Sequence, residues 1–349
     1  MAMNHEKLPY RPSEQPTLEF DRIAFLLNPG SSHSDRMTRF LSLILEEYDP
    51  KKVKIIKTQK CNLPSKRNEE VLASELEAGD LIIAAGGDKT VNIAVNALAL
   101  DGLDEDLRQT PILPARGGKV SVMSKLLTGA NHPGNFLRVM REGLLVPVRP
   151  VACEVDPENE YGPFTIRAAF SVGVGLTGMV VKNLGEDKYR YNFLSKNKYT
   201  SKLNDAAAAI GGIATSPLFD VEEDHLTRQS FEVLISNAEE MAGGLMRFPK
   251  IKLAKSELFQ VEIPKKTVTT VGLSAVRLAT GTMSGDHILT DPSSPPWRLD
   301  FTVHPPEDRE LYAQFDGEPY QISDPTRFSL THSEQTFQAV TYETSRKAA

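Results

Sequence analysis

Two hydrophobic periods alternate along the first 140 or so residues. Ile23 to Leu27, Val53 to Ile56, Leu81 to Ala85 and Pro111 to Pro114 are short, strand-length segments dominated by apolar residues. Runs of that kind suit strands covered on both sides. Between them apolar residues return at helical spacing. Met37, Phe40, Leu41, Ile44 and Leu45 follow Asp35, Glu69 to Ala78 closes at Gly79, and Val91, Ala94, Val95 and Leu98 follow Thr90 in a helix reaching Leu100. Ser121 to Leu127 opens another helix, and Asp35 and Thr90 are the expected caps. Strands alternating with helices predict an α/β domain, doubly wound around a parallel sheet.

The period changes near Leu145. Pro147, Pro150, Pro157 and Pro163 punctuate extended segments rich in β-branched and aromatic residues. Phe164 to Val174, Ser230 to Ser236, Leu258 to Ile263, Lys266 to Gly272, Ser274 to Thr280, Trp297 to Val303 and Leu311 to Phe315 read as strands. Helical pieces interrupt them at Gly175 to Leu184 and Thr200 to Ala214. The second half therefore reads as an antiparallel β-sandwich with inserted helices. The expected division is a flexible arm over 1–19, an α/β domain over 20–145, a β-sandwich domain over 146–325 and a C-terminal segment over 326–349.

Composition narrows the classes. At 349 residues the chain has room for two cored domains. A net charge of −6 gives no global attraction to nucleic acid, and none is expected as a partner. No apolar run approaches the roughly 20 residues that span a bilayer, and Met1 to Glu19 lacks the apolar core of a signal peptide. Cys61 and Cys153 have neither metal spacing nor a disulfide framework, which fits a reducing cytoplasm. The seven histidines form no metal-binding pattern, and the metal ligands stay unknown. Oligomeric state is not legible, and a homodimer is compatible with the sequence.

The most informative stretch is Leu81 to Asn96. A buried strand ends in Gly86-Gly87, an acid follows at Asp88, and a helix starts at Thr90. Gly86 and Gly87 would let the backbone turn and approach a ligand. A loop feeding a helix N-terminus offers N–H groups and a positive dipole end to phosphate. A plain strand-to-helix turn would read the same way.

Further landmarks join it. Asn28-Pro29-Gly30-Ser31 ends the first strand, Gly86-Gly87-Asp88-Lys89-Thr90-Val91-Asn92-Ile93 the third, and Pro114-Ala115-Arg116-Gly117-Gly118-Lys119 the fourth. Ser171-Val172-Gly173, Asn237 with Gly243-Gly244 and Phe248-Pro249, and Asp316-Gly317-Glu318 follow in the second half. In this order they resemble the diacylglycerol kinase catalytic-domain family, lipid kinases that include the sphingosine kinases. The resemblance spans roughly residues 20 to 325. It implies a nucleotide-binding first domain, an active site between the domains, ATP and Mg²⁺ as cofactors, and a return of the C-terminus to the first domain. By the same resemblance Asn28, Pro29, Gly30, Gly86, Gly87, Asp88, Lys89, Thr90, Asn92, Arg116, Gly117, Gly118 and Lys119 would hold the nucleotide. Asp88, Asp316 and Glu318 would manage the metal and the acceptor's hydroxyl proton.

The chain departs from the family where that chemistry sits. Lys89 replaces the motif's third glycine, Ile93 its glutamate, and Lys119, Val120, Ser121 and Val122 an Asn-Asp pair. Lys255-Ser256-Glu257 lacks an Asp-Gly associated with a metal site. A lysine where φ is positive would cost on the order of 1 kcal/mol. Lys89, Arg116 and Lys119 would either clamp phosphate in place of part of the metal's role or fill the site. Three functions follow: an ATP-dependent kinase of a lipid hydroxyl, a non-catalytic relative that binds nucleotide, lipid or a protein partner, and a kinase of a soluble acceptor such as NAD. Basic and aromatic residues interleave over 182–202, a composition that suits peripheral contact with a membrane surface.

Overall fold

The computed structural model describes residues 18–29, 34–59, 63, 65–117, 122–128, 133–159, 162–185, 211–212, 214–237, 240–241, 246–247, 259–264 and 297–342. The first half supplies β1 (Arg22–Leu27), α1 (Ser34–Glu47), β2 (Val53–Lys57), α2 (Arg67–Glu75), β3 (Asp80–Gly86), α3 (Asp88–Leu98), α4 (Glu105–Arg108), β4 (Ile112–Arg116), α5 (Val122–Leu127), α6 (Pro133–Glu142) and β5 (Leu144–Val148). The second supplies β6 (Val151–Pro157), β7 (Phe164–Ala168), β8 (Ser171–Gly175), α7 (Leu176–Gly185), β9 (Phe219–Glu223), β10 (Leu226–Ser236), β11 (Glu240–Met241), β12 (Met246–Arg247) and β13 (Phe259–Pro264). It ends with β14 (Arg298–His304), β15 (Leu311–Phe315), β16 (Glu318–Ile322), β17 (Thr326–His332) and β18 (Phe337–Thr341).

The first sheet has six strands in the order β2-β1-β3-β4-β18-β5. β1 to β4 pair in parallel, as the alternating pattern requires. β3 is buried along its whole length, which explains its lack of a polar face. One face packs on α1 and α6 through Phe25, Met37, Phe40 and Phe136. The other packs on α2, α3 and α5, and that core continues into the second half through Phe170, Leu176, Phe231 and Val261. The two halves therefore share apolar contacts. At the amino ends of the strands, Arg22 holds Asp80 through two bonds of 2.7 Å.

The second sheet is antiparallel and has ten strands in the order β16-β15-β8-β10-β9-β14-β17-β6-β7, with β13 on β10. One core lies within it, built from Cys153, Val174, Phe219, Phe301, Phe315 and Phe328 among others. β17, within the expected C-terminal segment, still belongs to this sheet and pairs with β6. Only β18 crosses back, lying parallel to β4 and antiparallel to β5.

Three local expectations fail. α1 begins at Ser34, so Asp35 lies inside its first turn, where an acid suits the helix dipole, rather than capping it. The helix after β3 begins at Asp88 with Gly87 as its N-cap, not at Thr90. Thr90 is buried inside the first turn, and its N–H donates to the Gly87 carbonyl at 3.0 Å. The single strand expected over Phe164 to Val174 is two, because the chain bends at Ala169 and Phe170. β7 then pairs with β6, and β8 with β10 and β15. The strands expected over 266–280, most of the helix over 200–214 and the loop over 291–296 lie outside the described residues.

Candidate functional site

The carboxyl ends of β1, β3 and β4 carry Asn28, Gly86 and Arg116, and α3 starts among them. Gly117 N–H donates to the Gly86 carbonyl at 2.7 Å, stitching the two strand ends together. Both glycines are required by packing rather than by a left-handed backbone. A Cβ on Gly86 would lie 2.7 Å from the Thr90 Cβ, and one on Gly117 would lie 2.8 Å from the Met37 Cγ. Lys89 is the second residue of α3 and is absent from the described residues with positive φ. The motif's third glycine position is ordinary helix here, so the strain expected of a lysine there does not arise.

Asp88 points at the start of α5. Its two oxygens accept the N–H groups of Val122 and Met123, each at 3.1 Å. It therefore caps a helix from another part of the sheet. Burial pushes its carboxyl up to about 7, the two N–H donors pull it back, and Asp316 adds to the rise.

Asp316 is buried in the hairpin between β15 and β16. Asp316 and Gly317 have φ of 50° and 83°, the left-handed pair that a two-residue hairpin needs. Asp316-Gly317 is thus a hairpin turn, and its carboxylate does more. The Asp316 carboxylate accepts N–H groups from Ala169 at 2.5 Å, Phe170 at 2.9 Å and Ser171 at 2.9 Å, and the Asn92 amide at 2.7 Å. This explains the bend between β7 and β8: three consecutive N–H groups turn toward one carboxylate. Burial raises Asp316 to about 6, and four donors oppose the rise. With two donors, Asp88 is held back less.

Glu318 begins β16 and faces the first half. Lys89 Nζ lies 2.6 Å from Oε1 and 2.5 Å from Oε2 of Glu318. Burial raises the Glu318 carboxyl, and Lys89 pulls it down. The three acids assigned by resemblance to metal and proton handling are thus held by a helix start, by a strand bend and by a lysine. Among the described residues no group of three His, Cys, Asp or Glu side chains could hold a metal ion. These side chains do not fit a protein-held Mg²⁺, and no chemical step is derived through one.

The phosphate side fits better. The α3 N-cap, Gly87, makes no side-chain cap bond to the first turn. Arg116 at the end of β4 has its charge disfavoured first by burial and then by Arg36 in the first turn of α1. Two neighbouring arginines at a strand edge suit an anion. Arg36 was not among the residues singled out from the sequence, although its place just after the Asn28-Pro29 turn was a usable signal.

Asn92, expected at the nucleotide, instead ties the two halves. Its amide donates to the Arg167 carbonyl at 2.9 Å as well as to Asp316. One turn later Asn96 donates to the same carbonyl at 2.9 Å and accepts the Arg167 N–H at 2.8 Å. Thr90 is likewise buried, packed on Gly86. Pro29 is exposed beside Asn28. Gly30, Gly118 and Lys119 lie outside the described residues, as do Val120, 186–202, 243–244, 248–249 and 255–257. Lys182, at the start of the basic and aromatic stretch, turns back onto the second sheet: it pairs with Glu310 at 2.5 Å and sits 5.0 Å from the Tyr312 ring centroid.

No family profile matches the chain, and no curated protein matches it in sequence. Solved structures do match. A diacylglycerol kinase from Bacillus anthracis str. Sterne aligns with a TM-score of 0.52 at 14% identity, over 92% of this chain and 97% of that one. A second structure from that organism, provisionally named a diacylglycerol kinase, gives 0.55 at 16% identity, over 92% and 98%. The chain has the diacylglycerol kinase fold. Yeast NADH kinase, solved with NADH, aligns at 0.51 and 11% identity over 93% of this chain and 84% of its own. The kinase-like architecture, a parallel α/β half followed by an antiparallel β half, is common to these proteins. No helix among the described residues of this diacylglycerol kinase fold is long and apolar enough to cross a membrane.

Proposed function

We propose that this chain binds the phosphates of a nucleotide at the carboxyl edge of its first sheet and does not transfer phosphate in the resting state described above. The supporting observation is the Lys89–Glu318 ion pair. Glu318 is one of the three acids that the resemblance assigns to the metal and the acceptor's proton, and a carboxylate already paired with an ammonium is a weak base. Arg116 with Arg36 supplies positive charge of the kind that phosphates need. The test is an incubation of purified protein with ATP and Mg²⁺ in the presence of an extracted lipid pool and a panel of soluble hydroxyl compounds, NAD among them. The expected result is nucleotide binding without a phosphorylated product. Sustained turnover onto any acceptor contradicts the reading.

A transferring kinase is the second reading, favoured by the Asp88 carboxyl at about 7. A general base works best in that range. That reading requires ATP with Mg²⁺ and a lipid or soluble hydroxyl acceptor. It expects Asp88→Asn to abolish turnover while leaving nucleotide binding in place.

A further inference from the structure

β2 is the end strand of the first sheet. It pairs with β1 along its whole length, from Val53 opposite Ile23 to Lys57 opposite Leu27. Among the described residues no strand lies on its other side. An end strand presents a row of N–H and C=O groups that no neighbouring strand has taken. The chain around this one is basic throughout. Residues 50–68 carry six lysines, Arg67 and no acid, in a molecule of net charge −6. Lys51, Lys52, Lys54 and Lys57 are exposed. Lys54 pairs with Glu75 at 2.7 Å, and among the described residues Lys51, Lys52 and Lys57 make no ion pair. Ile55, in the middle of the strand, is 41% exposed.

The two faces of β2 restrict what fits beside it. Ile56 belongs to the core on the α2 side, and Val53 packs on the α1 side. By the alternation of a strand, Lys54 shares the face of Ile56, and Lys57 the face of Val53. A strand added at this edge therefore meets positive charge on both of its faces. Opposite charges across a strand pair favour pairing, and like charges oppose it. Edge lysines ordinarily keep stray strands away. Here the same device rejects neutral and basic strands and admits an acidic one. The basic line is also narrow. α1 ends in Glu46 and Glu47 on one side of the sheet, and α2 carries Glu70 and Glu75 on the other. A membrane or a duplex nucleic acid is wide enough to meet those acids as well as the lysines; a single extended segment is not.

We propose that the outer edge of β2 docks an extended acidic segment of a partner protein, which joins the first sheet as a further strand. Its backbone pairs with the outward N–H and C=O groups of β2, the mode by which peptides extend an exposed sheet edge. Its carboxylates face Lys51, Lys52, Lys54 and Lys57, and one apolar residue lies across from Ile55. Lys54 exchanges or shares Glu75 with the incoming acid, since both side chains of that pair are partly exposed. The surface stands whether or not the chain binds nucleotide or transfers phosphate.

The test is fluorescence anisotropy of labelled peptides titrated with the full chain. The first probe is a short peptide of aspartate and glutamate with one central isoleucine. The second has asparagine and glutamine in place of the acids. The third keeps the acids but carries N-methyl groups on alternate backbone nitrogens. The first is expected to bind in the micromolar range and to slow amide hydrogen exchange in β2. The second, which lacks the charge, and the third, which lacks the strand's donors, are each expected to bind about tenfold more weakly or less. Replacing Lys51, Lys52 and Lys57 together by glutamate should cost the first peptide about tenfold and leave the melting temperature unchanged, because all three side chains are exposed. Glutamine at the same positions gives the binding readout should the glutamate variant not fold. Three results overturn the proposal: no binding of the acidic peptide, equal binding of the N-methylated one, or tighter binding to phosphatidylserine vesicles or to RNA that the same substitutions abolish. ATP titration of the variants reports on the phosphate edge separately.

Discussion

The ends of α3 face two regions that treat buried polar groups in opposite ways. At its N-terminus Asp88, Asp316 and Glu318 each have donors from the protein itself: two N–H groups, three N–H groups with an amide, and an ammonium. Toward its C-terminus, past Asn96, Arg167 and Gln335 keep buried atoms that lack one. The first arrangement ties its polar groups into the fold; the second leaves buried polar atoms without a partner.

The comparison is sharpest at Asp316. Asp316→Ala strands three buried N–H groups and the Asn92 amide, and is expected to cost about 3–5 kcal/mol in denaturant unfolding. A loss under about 1 kcal/mol would mean that this carboxylate is not a brace. Next comes pH. Asp88 sits at about 7 in the fold against 3.8 in the ordinary state, so the folded chain keeps a proton that the unfolded chain has lost. Its contribution is therefore fully present below about pH 4 and declines as pH rises toward 7, by up to about 4 kcal/mol. Asp88→Asn should flatten that decline, and parallel pH profiles of the two proteins would refute the assignment.

A double-mutant cycle between Lys89→Ala and Glu318→Gln should give a coupling of about 1 kcal/mol, reduced by salt because Lys89 is partly exposed. Zero coupling would leave Lys89 a surface residue. The smallest effect belongs to Gln335, whose buried Oε1 has no hydrogen-bond partner: Gln335→Leu should change stability by no more than about 0.5 kcal/mol. A large loss would mean that Gln335 is as structural as the α3 N-terminus, and the contrast between the two regions would disappear.

How much of this was legible in the chain depended on range in sequence. β1, β3 and the helices around them follow from continuous apolar runs and helical spacing, because neighbours within a few residues decide them. The antiparallel second half followed from its β-branched and aromatic segments. The bend between β7 and β8 was not legible, because its cause, Asp316, lies 147 residues from Ala169. Asn92 and Asn96 looked like one motif residue and one helix residue. Their shared grip on Arg167 exists only once β7 docks. Glu69 read as a first-turn acid of α2, a solvated position in most helices. Its burial arises from the second half packing over it. The substitution at Lys89 was visible from the start, but its consequence required knowing where Glu318 lands.

The most direct measurement is titration of the intact protein with ATP, once in excess EDTA and once in excess Mg²⁺, followed by assay of the same samples for ADP. Phosphate held by Arg116 and Arg36 rather than by a metal should bind comparably or better without Mg²⁺, and no ADP should form. Binding that appears only with Mg²⁺ and is accompanied by accumulating ADP would contradict the account.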